Sequence, residues 1–145
     1  MTKGETALNL FGTGLACSQA VALSFKDELG IDETTLTNLS LGFGGGFGRQ
    51  RLVCGAISGM VMAISALVAN GKTKLDVYKI IQDACKDFTD ITGSLICAEL
   101  LGEDPKQNTG VPEQRTAEYY KKRPCGELCQ IAADIAKKYI DLYKA

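Results

Sequence analysis

Apolar positions along the chain recur with helical spacing, and no stretch alternates apolar and polar residues over the length of a strand. The clearest amphipathic helix covers residues 74–89, with a predicted inward face of Leu75, Val77, Tyr78, Ile81, Ala84, Cys85 and Phe88. Residues 125–143 repeat the pattern with Leu128, Ile131, Ala132, Ile135, Tyr139 and Leu142. The periodicity therefore predicts an all-α fold.

Further helices are predicted where capping residues precede apolar runs and where glycines end them. They cover residues 2–9, 15–29, 32–41 and 94–101, with Asp32 and Ser94 as caps, and a helical turn is expected at 115–121. The polar segment 103–114 contains Pro105 and Pro112 and is expected to be a surface loop. We expect one domain over residues 1–145.

The most apolar segment is a predicted central helix over residues 49–69, which follows the glycine-rich loop Gly42–Gly48. Residues 52–69 carry no charged side chain, but glycines and serines dilute their hydrophobicity. We therefore expect this helix to lie buried in a compact bundle of five to seven helices rather than to span a membrane. Gly55 and Gly59 suit close helix packing, either within the chain or in a homodimer.

Charge and composition exclude several classes of protein. The chain has 16 basic and 17 acidic residues and no tryptophan. It therefore lacks the excess of positive charge and the obvious base-stacking platform that are typical of nucleic-acid-binding proteins. The first residues lack the charge pattern of a signal peptide. We expect a cytoplasmic protein with no nucleic-acid partner and no membrane span.

The chain contains six cysteines and no histidine. The absence of histidine excludes Cys-His catalysis and imidazole ligation of haem or zinc. Any metal must therefore be held by thiolates, carboxylates or backbone groups. No CxxC motif is present, so neither a zinc ribbon nor a thioredoxin-like motif is supported.

Four of these cysteines lie near predicted helix starts, where free N–H groups and the helix dipole stabilise a thiolate. They are Cys17, Cys54, Cys97 and Cys125. Basic residues precede two of them, namely Arg49 and Arg51 before Cys54, and Lys121, Lys122 and Arg123 before Cys125. The placement predicts low-pKa thiols that act as redox groups or as metal ligands.

The other two cysteines have weaker functional signals. Cys85 lies in the middle of a helix on its apolar face, so we interpret it as structural. Cys129 follows Cys125 by one helical turn, which makes it a resolving thiol, an extra ligand or a packing residue, and packing is favoured. All six could also be ordinary buried cysteines.

The order of motifs resembles a family of bacterial and archaeal proteins that is named for its cysteine pattern C_GCAxxG_C_C and is expected to be redox-active. The resemblance covers nearly the whole chain. It is carried by Cys17-Ser-Gln-Ala-Val, the loop Gly42–Gly48 with Arg49, Cys54-Gly-Ala-Ile-Ser-Gly, Cys97-Ala-Glu-Leu-Leu-Gly and Cys125-Gly-Glu-Leu. The resemblance maps the family's four cysteines onto Cys17, Cys54, Cys97 and Cys125, and leaves Cys85 and Cys129 outside the pattern.

The resemblance implies a redox protein in which these four cysteines bind an iron–sulfur cluster or another metal, or cycle between thiol and disulfide, in electron transfer with an unidentified redox partner. Haem is not carried over, because histidine and the CxxCH motif are missing. The glycine loop is expected beside the site, through Gly44, Gly45, Gly46, Gly48 and Arg49. The alternative is a non-catalytic helical module, stabilised by zinc or purely structural. The residues do not decide whether the protein is an enzyme.

Overall fold

The computed structural model describes residues 1–144, apart from the side chains of Pro105, Lys121 and Lys122. Within these residues the secondary structure is helical and contains no strand, which confirms the all-α prediction. The α-helices are α1 Lys3–Gly12, α2 Cys17–Leu23, α3 Lys26–Leu29, α4 Glu33–Leu41, α5 Gly44–Phe47, α6 Gly55–Val68, α7 Lys74–Thr92, α8 Cys97–Leu101, α9 Ala117–Lys122 and α10 Cys125–Tyr143.

Among residues 1–144, the helical segments outnumber the predicted five to seven because two predicted elements are divided differently. The helix expected over 15–29 stops at Leu23 and restarts at Lys26. The glycine loop contains the short segment α5, which is a turn rather than a right-handed helix because Gly45, Gly46 and Phe47 have positive φ values. The helix predicted from residue 94 starts at Cys97, because the Ser94 hydroxyl accepts a hydrogen bond from the Ile96 N–H and holds a turn there instead.

The central helix is shorter than predicted, since α6 begins at Gly55 rather than at Arg49. Arg49 and Arg51 both have a φ of 64°, in the left-handed region that a right-handed helix cannot contain. The prediction of burial nevertheless holds, because Met60, Ile64 and Val68 are almost fully enclosed. Helices α2, α7 and α10 pack around α6, and α1 packs on α10.

The two glycines of α6 allow α2 to approach closely. A Cβ atom at Gly59 would lie 2.8 Å from the Ser18 carbonyl oxygen and 2.8 Å from the Val21 Cβ. At Gly55 it would lie 3.3 Å from the Cys17 Cβ. The small-residue face therefore packs within the chain, and the alternative that this face forms a homodimer contact is wrong.

This packing predicts opposite effects for two Gly→Ala substitutions. Gly59→Ala should lower the free energy of unfolding by about 1–3 kcal/mol, because the new methyl group collides with α2. Gly12→Ala, in α1, is the matched control, since a Cβ there meets nothing within 4 Å and alanine favours helix. Chemical denaturation of both variants measures the difference, and equal stabilities would contradict the packing argument.

Two predicted inward faces are partly wrong. Leu75 and Tyr78 of α7 are exposed, while Ile80, Ala84 and Phe88 form its buried row. Leu142, near the end of α10, is also exposed. The physical reason is that α7 packs mainly against α6 and α10 and buries a single row of side chains, so its apolar face is wider than the part that is buried.

Within residues 1–144, none of the helices combines the length and the hydrophobicity that a membrane crossing requires.

Candidate thiol site

Four cysteines from four different helices line one cavity of about 360 Å³. Cys17, Cys97 and Cys125 are the first residues of α2, α8 and α10, and Cys54 is the N-cap residue of α6. The four residues are far apart in sequence, and the fold brings them together. The helix-start placement inferred from the sequence is therefore observed at all four positions.

A short antiparallel contact places Cys54 beside Cys97. Val53 and Ile96 form an isolated β-bridge. The Cys54 N–H donates to the Leu95 carbonyl at 2.8 Å, and the Cys97 N–H donates to the Leu52 carbonyl at 2.6 Å. These hydrogen bonds hold the starts of α6 and α8 side by side, and they are too local to produce a strand pattern in the sequence.

The glycine loop forms one wall of the cavity through an unusual backbone. Gly45, Gly46 and Gly48, together with Phe47 and Arg49, have φ values of 60–74°. Three of the predicted glycines, at positions 44, 45 and 48, line the cavity, as does Arg49. Gly46 is instead buried against the chain, where a Cβ would lie 2.5 Å from the Leu52 nitrogen. The loop thus folds back on residues 51–52, just before Cys54.

Arginines surround the thiols. Arg49, Arg51, Arg115 and Arg123 line the cavity, against a single lining carboxylate, Glu113. Arg51 is 7 % exposed, and its Nη1 lies 3.7 Å from the Cys97 Sγ. The cavity therefore presents a net positive wall to the four sulfurs.

The arginines are held by a chain of ion pairs with Glu103 and Glu113. The Arg51 Nε donates to Glu103 at 2.8 Å, and Arg123 bridges Glu103 and Glu113. Arg49 donates to Glu113 at 3.1 Å. Although partial burial opposes it, hydrogen bonds from the two guanidinium groups lower the pKa of Glu103, which keeps this carboxylate charged.

The segment predicted as an ordinary surface loop covers the site. Gly110, Pro112 and Glu113 line the cavity, and the Asn108 side chain donates to the Arg49 carbonyl. Arg115 donates to the Phe11 and Leu15 carbonyls, at 3.3 and 2.9 Å, and its guanidinium lies over the Phe11 ring. Sequence reasoning missed Arg115, Glu103 and Glu113, because their partners lie far away along the chain.

The thiols are protonated more strongly than expected. Burial is the largest cause at Cys54, where it raises the pKa from the ordinary 9.0 to about 12, although the Ala56 and Ile57 N–H groups oppose the shift. Burial also raises the pKa of Cys97, against the effect of Arg51. At Cys125 the contact with the Cys17 thiol and burial raise it further. The prediction of low-pKa thiols is therefore wrong for the metal-free protein, because burial outweighs the helix starts.

These shifts predict a loss of stability in alkaline solution. The folded protein holds the Cys54 proton more tightly than the unfolded chain, so this stabilisation is complete below pH 9 and disappears as the pH rises towards 12. The limiting slope is about 1.4 kcal/mol per pH unit for each such thiol. Denaturation of the reduced, metal-free protein between pH 8 and pH 11 measures it, and Cys54→Ala should give a shallower decline. Equal slopes in the two proteins would refute the assignment.

The two remaining cysteines occupy different environments. Cys85 lies partly buried on α7 at the edge of the hydrophobic core and does not line the cavity. Cys129 is completely buried, and its Sγ lies 3.7 Å from the Cys17 carbonyl oxygen. The side chains of Lys121 and Lys122 lie outside the described part of the chain, so of the three basic residues before Cys125 only Arg123 is placed at the site.

The four thiols line a cavity and do not meet at a single position. Within residues 1–144, no three cysteine, aspartate or glutamate side chains converge on a position for one metal ion. The described cysteines are all free thiols. The arrangement thus offers four soft ligands around a cavity, enclosed by arginines.

Fold and site together define an all-helical protein with four cysteines clustered at one cavity. Residues 15–139 match the family described as "Putative redox-active protein (C_GCAxxG_C_C)", and the chain belongs to that family. Comparison with curated proteins and with solved structures gave no match. The resemblance noted from the motifs is thereby confirmed.

Proposed function

We propose that the protein is an electron-transfer protein in which Cys17, Cys54, Cys97 and Cys125 bind an iron–sulfur cluster. The observation that carries the proposal is the convergence of these four thiols on one cavity of about 360 Å³. Four cysteine thiolates are the usual ligands of [2Fe–2S] and [4Fe–4S] clusters. When bound, such a cluster would take up and release single electrons.

Charge supports a thiolate-ligated group in this cavity. Four thiolates around iron carry a net negative charge, and four lining arginines against one lining glutamate offset it. Arg51 is placed to donate to the Cys97 sulfur, and hydrogen bonds to ligand sulfurs are one of the means by which proteins set a reduction potential. Glu103 and Glu113 hold Arg51, Arg49 and Arg123 at the cavity.

The burial of three of the four thiols also suits electron transfer. Cys54, Cys97 and Cys125 are each less than 8 % exposed, and the segment around Gly110 and Pro112 forms part of the cavity wall. Burial of this kind lowers the local dielectric around the sulfurs, which is one of the means by which a protein sets a reduction potential.

Zinc is the competing occupant of the same thiols. A structural zinc site needs four ligands in one tetrahedron with Zn–S distances of about 2.3 Å. Among the described residues, no three thiol or carboxylate side chains converge on one position, which counts against a single zinc ion in this arrangement. We therefore rank the cluster before zinc, and thiol–disulfide cycling of the same cysteines is the second alternative.

Anaerobic purification and reconstitution with ferrous iron and sulfide test the proposal. The expected result is a visible charge-transfer spectrum, iron and acid-labile sulfide in matching amounts, and bleaching by dithionite that air or ferricyanide reverses. A colourless protein with stoichiometric zinc would replace the cluster with a structural metal. A metal-free protein that titrates as a reversible two-electron dithiol would replace it with disulfide chemistry.

A further inference from the structure

The segment that covers the cavity is fixed to the rest of the fold at its two ends. At its start, the Glu103 N–H donates to the Ala98 carbonyl at 2.9 Å. At its end, the Arg115 guanidinium donates to the Phe11 carbonyl at 3.3 Å and lies 4.3 Å from the centroid of the Phe11 ring. We call residues 104–114, between these two ends, the strap.

The strap contributes little to the hydrophobic core. All of its described side chains except that of Asn108 are exposed, and Val111 is 63 % exposed. The backbone N–H groups that donate between residues 106 and 113 do so within the strap, to Asp104, Asn108 and Thr109. A segment with few buried apolar contacts and local hydrogen bonds opens more easily than the core of a fold.

Contacts with Arg49 hold the strap over the cavity. The Asn108 side-chain amide donates to the Arg49 carbonyl, and the Arg49 guanidinium donates to Glu113 at 3.1 Å. Arg123 forms a second ion pair with Glu113. The Glu113 side chain is 40 % exposed, so water and dissolved salt reach both of its ion pairs and weaken them.

We propose that the strap is a gate, latched on Arg49 by Asn108 and Glu113, and that its opening admits small molecules to the cavity thiols. Gly110, Pro112 and Glu113 line the cavity, so displacement of the strap removes one of its walls. Opening is then the step at which iron and sulfide enter the cavity and at which a chelator removes iron. This consequence rests on the proposed function, whereas the opening itself does not.

Pulse alkylation of the reduced, metal-free protein with iodoacetamide tests the gate. Peptide mapping gives a rate for each cysteine, and cleavage after Glu127 places Cys125 and Cys129 on different peptides. Cys129 is 0 % exposed and does not line the cavity, so its rate measures global unfolding. Cys85, partly buried on α7 outside the cavity, shows how salt affects an ordinary thiol.

The response to salt is the first expected result. In the wild type, Cys54, Cys97 and Cys125 should react faster than Cys129. Their rates should rise several-fold between about 0.05 and about 0.5 M sodium chloride, because salt weakens the ion pairs of Glu113. A permanently open cavity predicts the opposite sign, since salt would screen the arginines that favour the thiolate. Iodoacetamide is uncharged, so salt does not change its attraction to the site.

Two variants weaken the latch in different ways. Asn108→Ala removes a contact without a change of charge, and it should raise the three alkylation rates by about two- to tenfold. Glu113→Gln should raise them at low salt and make them less sensitive to salt, because the ion pairs that salt weakens are absent. Glu28→Gln is the matched control, since Glu28 is also 40 % exposed and pairs with Lys3 at 2.7 Å, outside the cavity.

Two kinds of result would overturn the gate. If Cys54, Cys97 and Cys125 reacted at the rate of Cys129 in the wild type and in both strap variants, only global unfolding would expose them. If salt slowed their alkylation, or if neither strap variant reacted faster than Glu28→Gln, the contacts with Arg49 would not control access to the thiols.

Release of iron from the reconstituted protein to bathophenanthroline separates the gate from the proposed function. With a cluster bound, both strap variants should lose iron several-fold faster than the wild type and Glu28→Gln. If alkylation is gated but the reduced protein takes up no cluster, only the proposed function fails. If a cluster forms but alkylation is not gated, only the gate fails.

Discussion

Cys54→Ser should lower the iron content of the reconstituted protein by more than about tenfold, because removal of a group that merely supports a metal ligand already costs 10–100-fold in affinity. Serine suits this position structurally. Cys54 is the N-cap residue of α6, and the Ala56 and Ile57 N–H groups face its side chain. A serine hydroxyl accepts such hydrogen bonds well, so the fold should persist.

Cys85→Ser is the control for the loss of a thiol as such, because Cys85 lies on α7 and does not line the cavity. It should retain the iron content and the visible spectrum of the wild type. Circular dichroism and chemical denaturation of the metal-free proteins establish that both variants are folded. If a folded Cys54→Ser protein bound iron as fully as the wild type, Cys54 would not be a ligand.

Gly46→Ala should disrupt the site more strongly than any other single methyl addition in the glycine loop. Its φ is 74°, and a Cβ would lie 2.5 Å from the Leu52 nitrogen and 2.9 Å from the Arg51 carbonyl carbon. These are backbone atoms, so the segment that carries Arg51 must shift to make room. The expected cost is about 1–2 kcal/mol for the left-handed conformation and a further 1–3 kcal/mol for the collision.

Gly48→Ala separates the cost of the left-handed conformation from the cost of the collision. Gly48 has a φ of 60°, but a Cβ there meets nothing within 4 Å. It should therefore show only the conformational cost of about 1–2 kcal/mol and keep its capacity to bind iron. Gly46→Ala should lose more stability, and its iron content should fall because Arg51 and the adjacent Leu52–Cys97 hydrogen bond are displaced. Equal behaviour of the two variants would show that the loop does not position the site.

Local signals were sufficient for much of the helical framework. Asp32 caps α4 through its hydrogen bond with the Thr35 N–H, and α10 spans the predicted residues 125–143. Both features depend on neighbouring residues, so the sequence specifies them. The start of α6 was misplaced, because the left-handed backbone of Arg49 and Arg51 depends on packing against the glycine loop.

For the candidate site too, local sequence specifies some features, and others depend on the tertiary structure. Helix starts could be assigned to Cys17, Cys54, Cys97 and Cys125 individually, because capping residues, glycines and Pro124 mark them in the sequence. The protonation state of the thiols could not be inferred, because it depends on burial, which raises the pKa of Cys54 to about 12. The role of residues 103–115 in lining the cavity could not be inferred either, since their arginine and glutamate partners come from distant segments.

By itself, the sequence determined that this protein is helical, that it contains thiols and no imidazoles, and which four cysteines begin helices. These properties follow from composition and from spacing over a few residues. Only the tertiary structure decided that the four thiols line one cavity, that arginines surround it and that Cys129 lies against Cys17. The physical reason is that such contacts join residues up to 112 positions apart, and chain packing rather than local preference brings them together.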